Sequence, residues 1–98
     1  MIYLLVHHEV ADYSAWKTVF DSSLDWRTKQ GERNCRIFRG VQNPNELTLM
    51  CEWESFEKAQ AFIDSGELKT RMASAGVKGA PRVDYLTEMF SIRRSAAD

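Results

Sequence analysis

Asn34-Cys35-Arg36-Ile37-Phe38-Arg39-Gly40-Val41-Gln42-Asn43-Pro44-Asn45-Glu46-Leu47-Thr48-Leu49-Met50-Cys51-Glu52-Trp53-Glu54 is the stretch on which the fold turns. Two strand-like runs, 34–41 and 47–54, flank a five-residue segment centred on Pro44. Proline presets φ and asparagine tolerates left-handed backbone, so Asn-Pro-Asn suits a short loop. The stretch reads as a β-hairpin. If its strands pair symmetrically about Pro44, the odd-numbered residues share a face. Cys35, Ile37, Leu47, Leu49, Cys51 and Trp53 then form an apolar set to lie under helices. Arg36, Phe38, Thr48, Met50, Glu52 and Glu54 form the open set. A one-residue slip would exchange the two.

The hairpin lies between two helical patterns. Upstream, Ile2 to Glu9 reads as a strand, and Asp12 is positioned as the N-cap of a helix running to Gly31. Tyr13, Trp16, Phe20 and Leu24 form its apolar stripe, with Val19 beside them. Trp26 falls about 100° off that stripe from 3.6-residue geometry, which points it at the sheet edge or a dimer contact. Downstream, Ser55 caps a second helix with Phe56, Ala59, Phe62 and Ile63 on one side. Ser65-Gly66 breaks or bends it, and Leu68, Met72 and Ala75 carry the pattern on to Gly76. A loop over 76–81 and a last strand over 82–91 complete the chain. The order β-α-β-β-α-β is the ferredoxin-like arrangement, an α+β fold with a four-stranded antiparallel sheet. Residues 1–92 are expected to form a single domain and 93–98 a frayed C-terminal tail.

In the first strand Ile2, Leu4, Val6 and His8 share the more apolar face, placed under the helices. Tyr3, Leu5, His7 and Glu9 face the other way. In the last strand neither the Val83, Tyr85, Met89 set nor the Leu86, Phe90 set is polar, so both faces are expected to be covered. The open face therefore carries Tyr3, Leu5, Phe38, Met50 and one apolar set from the last strand. So much wet apolar surface is unusual on a monomer. A two-fold homodimer packing sheet on sheet would cover it, with an apolar cavity for a small molecule between the sheets.

Composition narrows the function classes. The formal net charge is -1, from 13 Lys+Arg and 14 Asp+Glu, with no basic run, so no nucleic-acid partner is expected. No apolar stretch approaches the ~20 residues of a membrane span, and the short apolar N-terminus lacks signal-peptide flanks. Cys35 and Cys51 form no CxxC, and reduced thiols in a cytoplasmic protein are the expectation. Aromatics make up 11% of the chain and include three Trp, which points to a core or pocket built from large rings.

The first strand running into Asp12-Tyr13-Ser14-Ala15-Trp16, with Leu49-Met50-Cys51-Glu52-Trp53-Glu54-Ser55, resembles the dimeric α/β-barrel superfamily, in the group of the antibiotic biosynthesis monooxygenases. The second stretch is similar to that family's third strand, which ends in an aromatic before a capped helix. Ala59, Phe62 and Leu68 fit the helix that follows, so the likeness spans nearly the whole chain through loose motifs. The resemblance implies the fold and the dimer. It also implies a range of activities, from cofactor-free oxygenation of aromatic or polyketide-like molecules to haem degradation, cyclisation and isomerisation. The haem-degrading branch carries a Trp and an iron-ligating His on its second helix. Here the matching region has Phe62 and Met72, and no His follows His8, so haem is not expected.

His7 is the sharpest catalytic candidate. A strand histidine facing a cavity can serve as general base toward an acidic C–H or phenol, with Glu52 or Arg36 to orient it or hold an anion. Tyr3, Leu5, Phe38, Met50 and Tyr85 are the candidate substrate-binding residues. His8 reads as structural. His7 and His8 point to opposite faces and cannot share an ion, so no metal site is expected, and no cofactor. No nucleophile triad, P-loop or dinucleotide fingerprint is present. The enzyme reading stands beside two others, a non-catalytic ligand-binding module and a structural dimer.

Overall fold

The structure, a computed structural model, describes residues 2–94. Strand β1 (Ile2–Val10) leads to α1 (Tyr13–Ser22) and α2 (Leu24–Gln30). Strands β2 (Glu32–Arg39) and β3 (Glu46–Trp53) form the hairpin. Helices α3 (Phe56–Ile63) and α4 (Gly66–Ser74) lead to β4 (Val77–Thr87). The sheet order is β2-β3-β1-β4 with every neighbouring pair antiparallel, the expected ferredoxin-like α+β fold. No helix among the described residues is long and apolar enough to cross a membrane.

Period-2 alternation sets the layers. Leu4, Val6, His8 and Val10 of β1 are buried, as are Leu47, Leu49, Cys51 and Trp53 of β3, and all the helices cover this face. Trp53 is fully buried, its ring 4.7 Å from that of Phe62 on α3. The hairpin turns one residue earlier than expected. Cys35 lies opposite Cys51 and Ile37 opposite Leu49, so the axis passes through Asn43. That moves the pairing by two residues, an even shift, and each side chain keeps its expected face. Gly40 permits the turn: a Cβ there would sit 2.5 Å from the Asn43 carbonyl oxygen.

Local chemistry starts the helices. The amide of Ala15 donates to Asp12 Oδ2 at 2.8 Å, and Ser55 and Ser65 accept from Lys58 and Leu68 in the same way, each at 3.1 Å. The first helical segment departs from the single helix read over 13–30. The hydroxyls of Ser22 and Ser23 both donate to the Val19 carbonyl, at 3.0 and 2.9 Å. Such local bonds compete with the helical ladder, and the chain breaks at Ser23 and restarts. Leu24, expected on the stripe, is 55% exposed, while Arg27 is buried. Trp26 packs on Phe62 with ring centroids 5.2 Å apart, inside the helix layer rather than at a sheet edge or dimer contact. Gly31 ends α2 at φ +121°, a conformation that side chains strain.

The last strand also differs from its expected bounds. It begins at Val77, inside the expected loop, and stops at Thr87. Val77 and Lys78 pair with Val10 and Glu9, then the register shifts before Arg82 meets His7. Gly79, at φ +69°, and Pro81 sit in this bulge on an edge strand, where Pro forfeits no ladder bond. Residues 88–94 have no regular structure, and Met89, Phe90 and Ile92 are exposed. Of the expected tail 93–98, residues 95–98 lie outside the described residues.

Cys35 and Cys51 are joined in a disulfide, which corrects the expectation of reduced thiols. Their separation of 16 residues gives no pairing signal. The hairpin register places them directly opposite on the helix-side face, Cα atoms 4.0 Å apart. The argument for a reducing compartment, drawn from free thiols, loses its support.

Candidate functional site

The structure separates the candidate residues between the two faces of the sheet. On the open face, His7 Nδ1 lies 2.8 Å from Thr48 Oγ1. The Tyr3 hydroxyl donates to Glu52 Oε1 at 3.2 Å and to Glu88 Oε1 at 3.3 Å. Burial, then the Glu52 carboxylate, pushes the Tyr3 pKa up. Glu52 also accepts from Asn34 Nδ2 at 3.1 Å, and the Arg36 guanidinium lies over the Phe38 ring. His7 sits opposite Thr48 and Glu52 opposite Tyr3. Four residues of strand therefore separate His7 from Glu52, about 13 Å. His7, Arg36 and Glu52 do not converge on one point within the chain.

Tyr3, Leu5, Phe38 and Met50 share this face as expected, bordering a shallow hollow at Tyr3, Met50, Leu86, Thr87 and Glu88. Tyr85 does not join them. It lies opposite Leu4, which faces the helices, and packs edge-on against Phe56 at 5.0 Å. Alternation then gives the open face of β4 to Leu86, Asp84 and Arg82, which lie opposite Tyr3, Leu5 and His7. The sequence left that parity undecided because neither set is polar.

A second, partly open cavity is on the other side, between sheet and helices, with a volume of about 80 Å³. Leu4, Val6, Leu49 and Cys51 form its floor. Trp16, Val19, Phe20 and Trp26 wall one side, and Phe62, Ile63, Leu68, Met72 and Ala75 the other. The Tyr13, Trp16 and Phe20 spacing builds the aromatic wall, with Trp16 stacked on Phe20 at 4.9 Å.

Five polar side chains reach this apolar cavity: His8, Ser23, Arg27, Glu32 and Arg71. Four of them satisfy one another. Arg27 Nε donates to Glu32 Oε2 at 2.7 Å, both side chains being almost fully buried. Arg27 also donates to the Phe20 carbonyl, and its guanidinium lies 3.6 Å from the Phe20 ring centroid. Burial pushes the Glu32 pKa up, against the opposing hydrogen bond and charge of Arg27. Arg71 Nη1 donates to Ser23 Oγ at 2.8 Å and covers Trp26. His8 is different. It is 5% exposed, and neither ring nitrogen has a hydrogen-bond partner among the described residues. Burial, then the neighbouring His7, lowers its pKa to about 4, so the ring is neutral at pH 7.

Glu32, Cys35 and Cys51 bring three ligand-type atoms within 4.8 Å of one another. With the sulfurs bonded to each other, no thiolate is available there for a metal. His8 was legible in part: alternation places it among Leu4 and Val6, where an unpaired His is out of place. Arg27 falls on the stripe, seven residues after Phe20, but a charged residue on a helix reads as solvent-facing, as does Arg71.

No protein-family model matches the chain, and no curated protein matches it. Solved structures do. A candidate antibiotic biosynthesis monooxygenase from Bordetella bronchiseptica aligns with a TM-score of 0.77 at 14% identity, over 91% of this chain and 97% of that one. A cofactor-independent oxygenase from Streptomyces nogalater aligns with a TM-score of 0.72 at 10% identity, over 95% and 97%. A monooxygenase from Streptomyces coelicolor, solved with nanaomycin D, aligns with a TM-score of 0.70 at 17% identity, over 96% and 92%. At these identities the likeness is one of fold. The chain shares the fold of these proteins.

Proposed function

We propose that this protein is a small-molecule enzyme of the antibiotic biosynthesis monooxygenase type. It takes an aromatic or polyketide-like molecule into the cavity between helices and sheet. There it acts by cofactor-free oxygenation or acid/base chemistry. The observation that carries this reading is the cavity itself, a ring-lined apolar chamber with few polar groups; at about 80 Å³ it has to widen to take a fused-ring ligand. Two structural neighbours, a cofactor-independent oxygenase and a monooxygenase holding nanaomycin D, support the choice of substrate class. The open face, with Tyr3, Leu5, Phe38, Met50 and Leu86, serves a homodimer in this reading, and His7, Arg36 and Glu52 lie at that contact.

The test is binding and turnover of hydroxylated naphthalenes and naphthoquinones. Trp16 and Trp26 line the cavity, so binding should quench tryptophan emission saturably, and a Val6→Trp variant that fills the floor should abolish the quenching. Oxygen uptake with a bound hydroxynaphthalene separates the enzyme from a binding module. Saturable quenching without oxygen uptake or product rules out oxygenation of that ligand, and quenching unchanged in Val6→Trp removes the cavity from the reading.

A further inference from the structure

The geometry points to Arg71 as the residue that selects acidic ligands: its guanidinium, at the mouth of the cavity, receives the carboxylate of a ring-bearing molecule seated below it. This rests on the cavity reading and deepens it, because it names the charge the cavity favours. Arg71 stands on α4, in the wall that holds Leu68, Met72 and Ala75. Its Nη1 reaches across to Ser23 Oγ at 2.8 Å, and its Cζ lies 4.3 Å from the centre of the Trp26 ring, both on the facing side of the cavity. The guanidinium, rather than the aliphatic stem, therefore spans the two walls. Among the described residues no other side-chain hydrogen bond joins the α1–α2 half of the helix layer to the α3–α4 half. A solute can reach the group, since the Arg71 side chain is 32% exposed.

The donors are held ready and not all are spent. A guanidinium has five N–H groups. Nε and one N–H of Nη2 go to Glu67 Oε1, at 3.2 and 2.7 Å, and one N–H of Nη1 goes to Ser23. One N–H on each terminal nitrogen has no acceptor among the described residues. Fixed by Glu67, Ser23 and Trp26, the planar fork loses little freedom when it takes an anion. The neighbouring charges leave Arg71 as the available cation. Arg27 is buried against Glu32 at 2.7 Å, whereas Glu67 is 53% exposed and its pull is screened by water. The lining below is mostly apolar and takes the ring.

The experiment compares 4-nitrobenzoate with 4-nitrobenzamide, single rings of the same shape that ask least of a cavity of about 80 Å³. Dissociation constants are read by tryptophan quenching at pH 7 in wild type, Arg71→Met, Arg71→Lys and Val6→Trp. Wild type should prefer the benzoate about tenfold, the worth of one charge-assisted hydrogen bond at a partly wet rim. That preference should shrink in about 0.5 M salt. Arg71→Met keeps the stem and should bring the preference close to one while still binding the amide. Arg71→Lys, which restores the charge without the fork, should recover part of it. A preference ratio is insensitive to a general loosening of the fold. An undiminished preference in Arg71→Met, or no preference in wild type, overturns the assignment and leaves the cavity reading standing. Absence of saturable binding of either compound to wild type, or binding unchanged in Val6→Trp, overturns both.

Discussion

The helix-side face of the sheet carries many more apolar side chains than the open face, and the two faces use them differently. The helix-side face of β1 and β3 is buried from Leu4 to Val10 and from Leu47 to Trp53. Its polar members are forced into pairs or left without partners. The opposite face holds Tyr3, Leu5, Phe38 and Met50 partly exposed, and its polar groups, His7 with Thr48 and Tyr3 with Glu52, bond across the strands beside water. The same alternation of residues produces both. What differs is the cover: four helices on one side, and on the other none among the described residues. A polar side chain is therefore a surface feature on one face and a site on the other.

The largest effect expected from breaking this contrast is at Trp53. Trp53→Ala should cost about 3–5 kcal/mol in chemical denaturation, the range for emptying a large buried ring. The corresponding truncation on the open face, Phe38→Ala, should change monomer stability far less. The disulfide comes next. Replacing Cys35 and Cys51 together by Ala should lower stability by about 3 kcal/mol, since the bridge closes a loop of 16 residues.

The pH dependence of stability tests how dry the helix-side face is. His8 has its folded pKa lowered from 6.5 to about 4. Between those values the unfolded chain binds the proton and the folded one does not, so acidification favours unfolding. Up to about 3 kcal/mol should be lost from pH 6.5 down to pH 4. His8→Phe should remove that part of the profile, and removing an orphaned polar group should raise stability at pH 7 by about 1 kcal/mol. An NMR titration giving His8 a midpoint near 6.5 would place water in the cavity.

On the open face the effects are on assembly. Met50→Arg should convert a dimer to a monomer in light scattering while moving the dilute-limit stability by less than about 0.5 kcal/mol. A wild type that is monomeric at micromolar concentration would remove the sheet-to-sheet dimer. His7→Ala, which removes one partly exposed hydrogen bond to Thr48, should leave assembly unchanged and cost about 0.5–1 kcal/mol. Naphthol binding should be unaffected. A large loss of binding or turnover in His7→Ala would move the site back to the open face.

Much of the architecture is legible because it is local. Asp12, Ser55 and Ser65 are the right residues one step before each helix, and period-2 alternation sorts Leu4, Val6, Leu49 and Trp53 from Tyr3, Leu5 and Met50. Even the hairpin axis, off by one residue, left the faces intact, since side-chain parity survives an even shift. The candidate site was less legible. The expectation of a cavity between two sheets followed from counting apolar residues on the open face. No comparable pattern points to the cavity in the helix layer, where large rings on α1 face small Ala59 and Ala75 and the floor stays uncovered. Tyr85 was grouped with open-face residues for the same reason: on β4 both parities are apolar, and only pairing with Leu4 decides between them.

The amino-acid sequence by itself determined the order of elements, the helix starts and the two faces of β1 to β3, because caps and periodicities act over a few residues. Tertiary structure decided what those faces do. Register joined Cys35 to Cys51 and assigned Tyr85. Helix packing left His8 in an apolar cavity with no partner. Each of these depends on where residues far apart in the chain come to lie, and no short-range pattern encodes that.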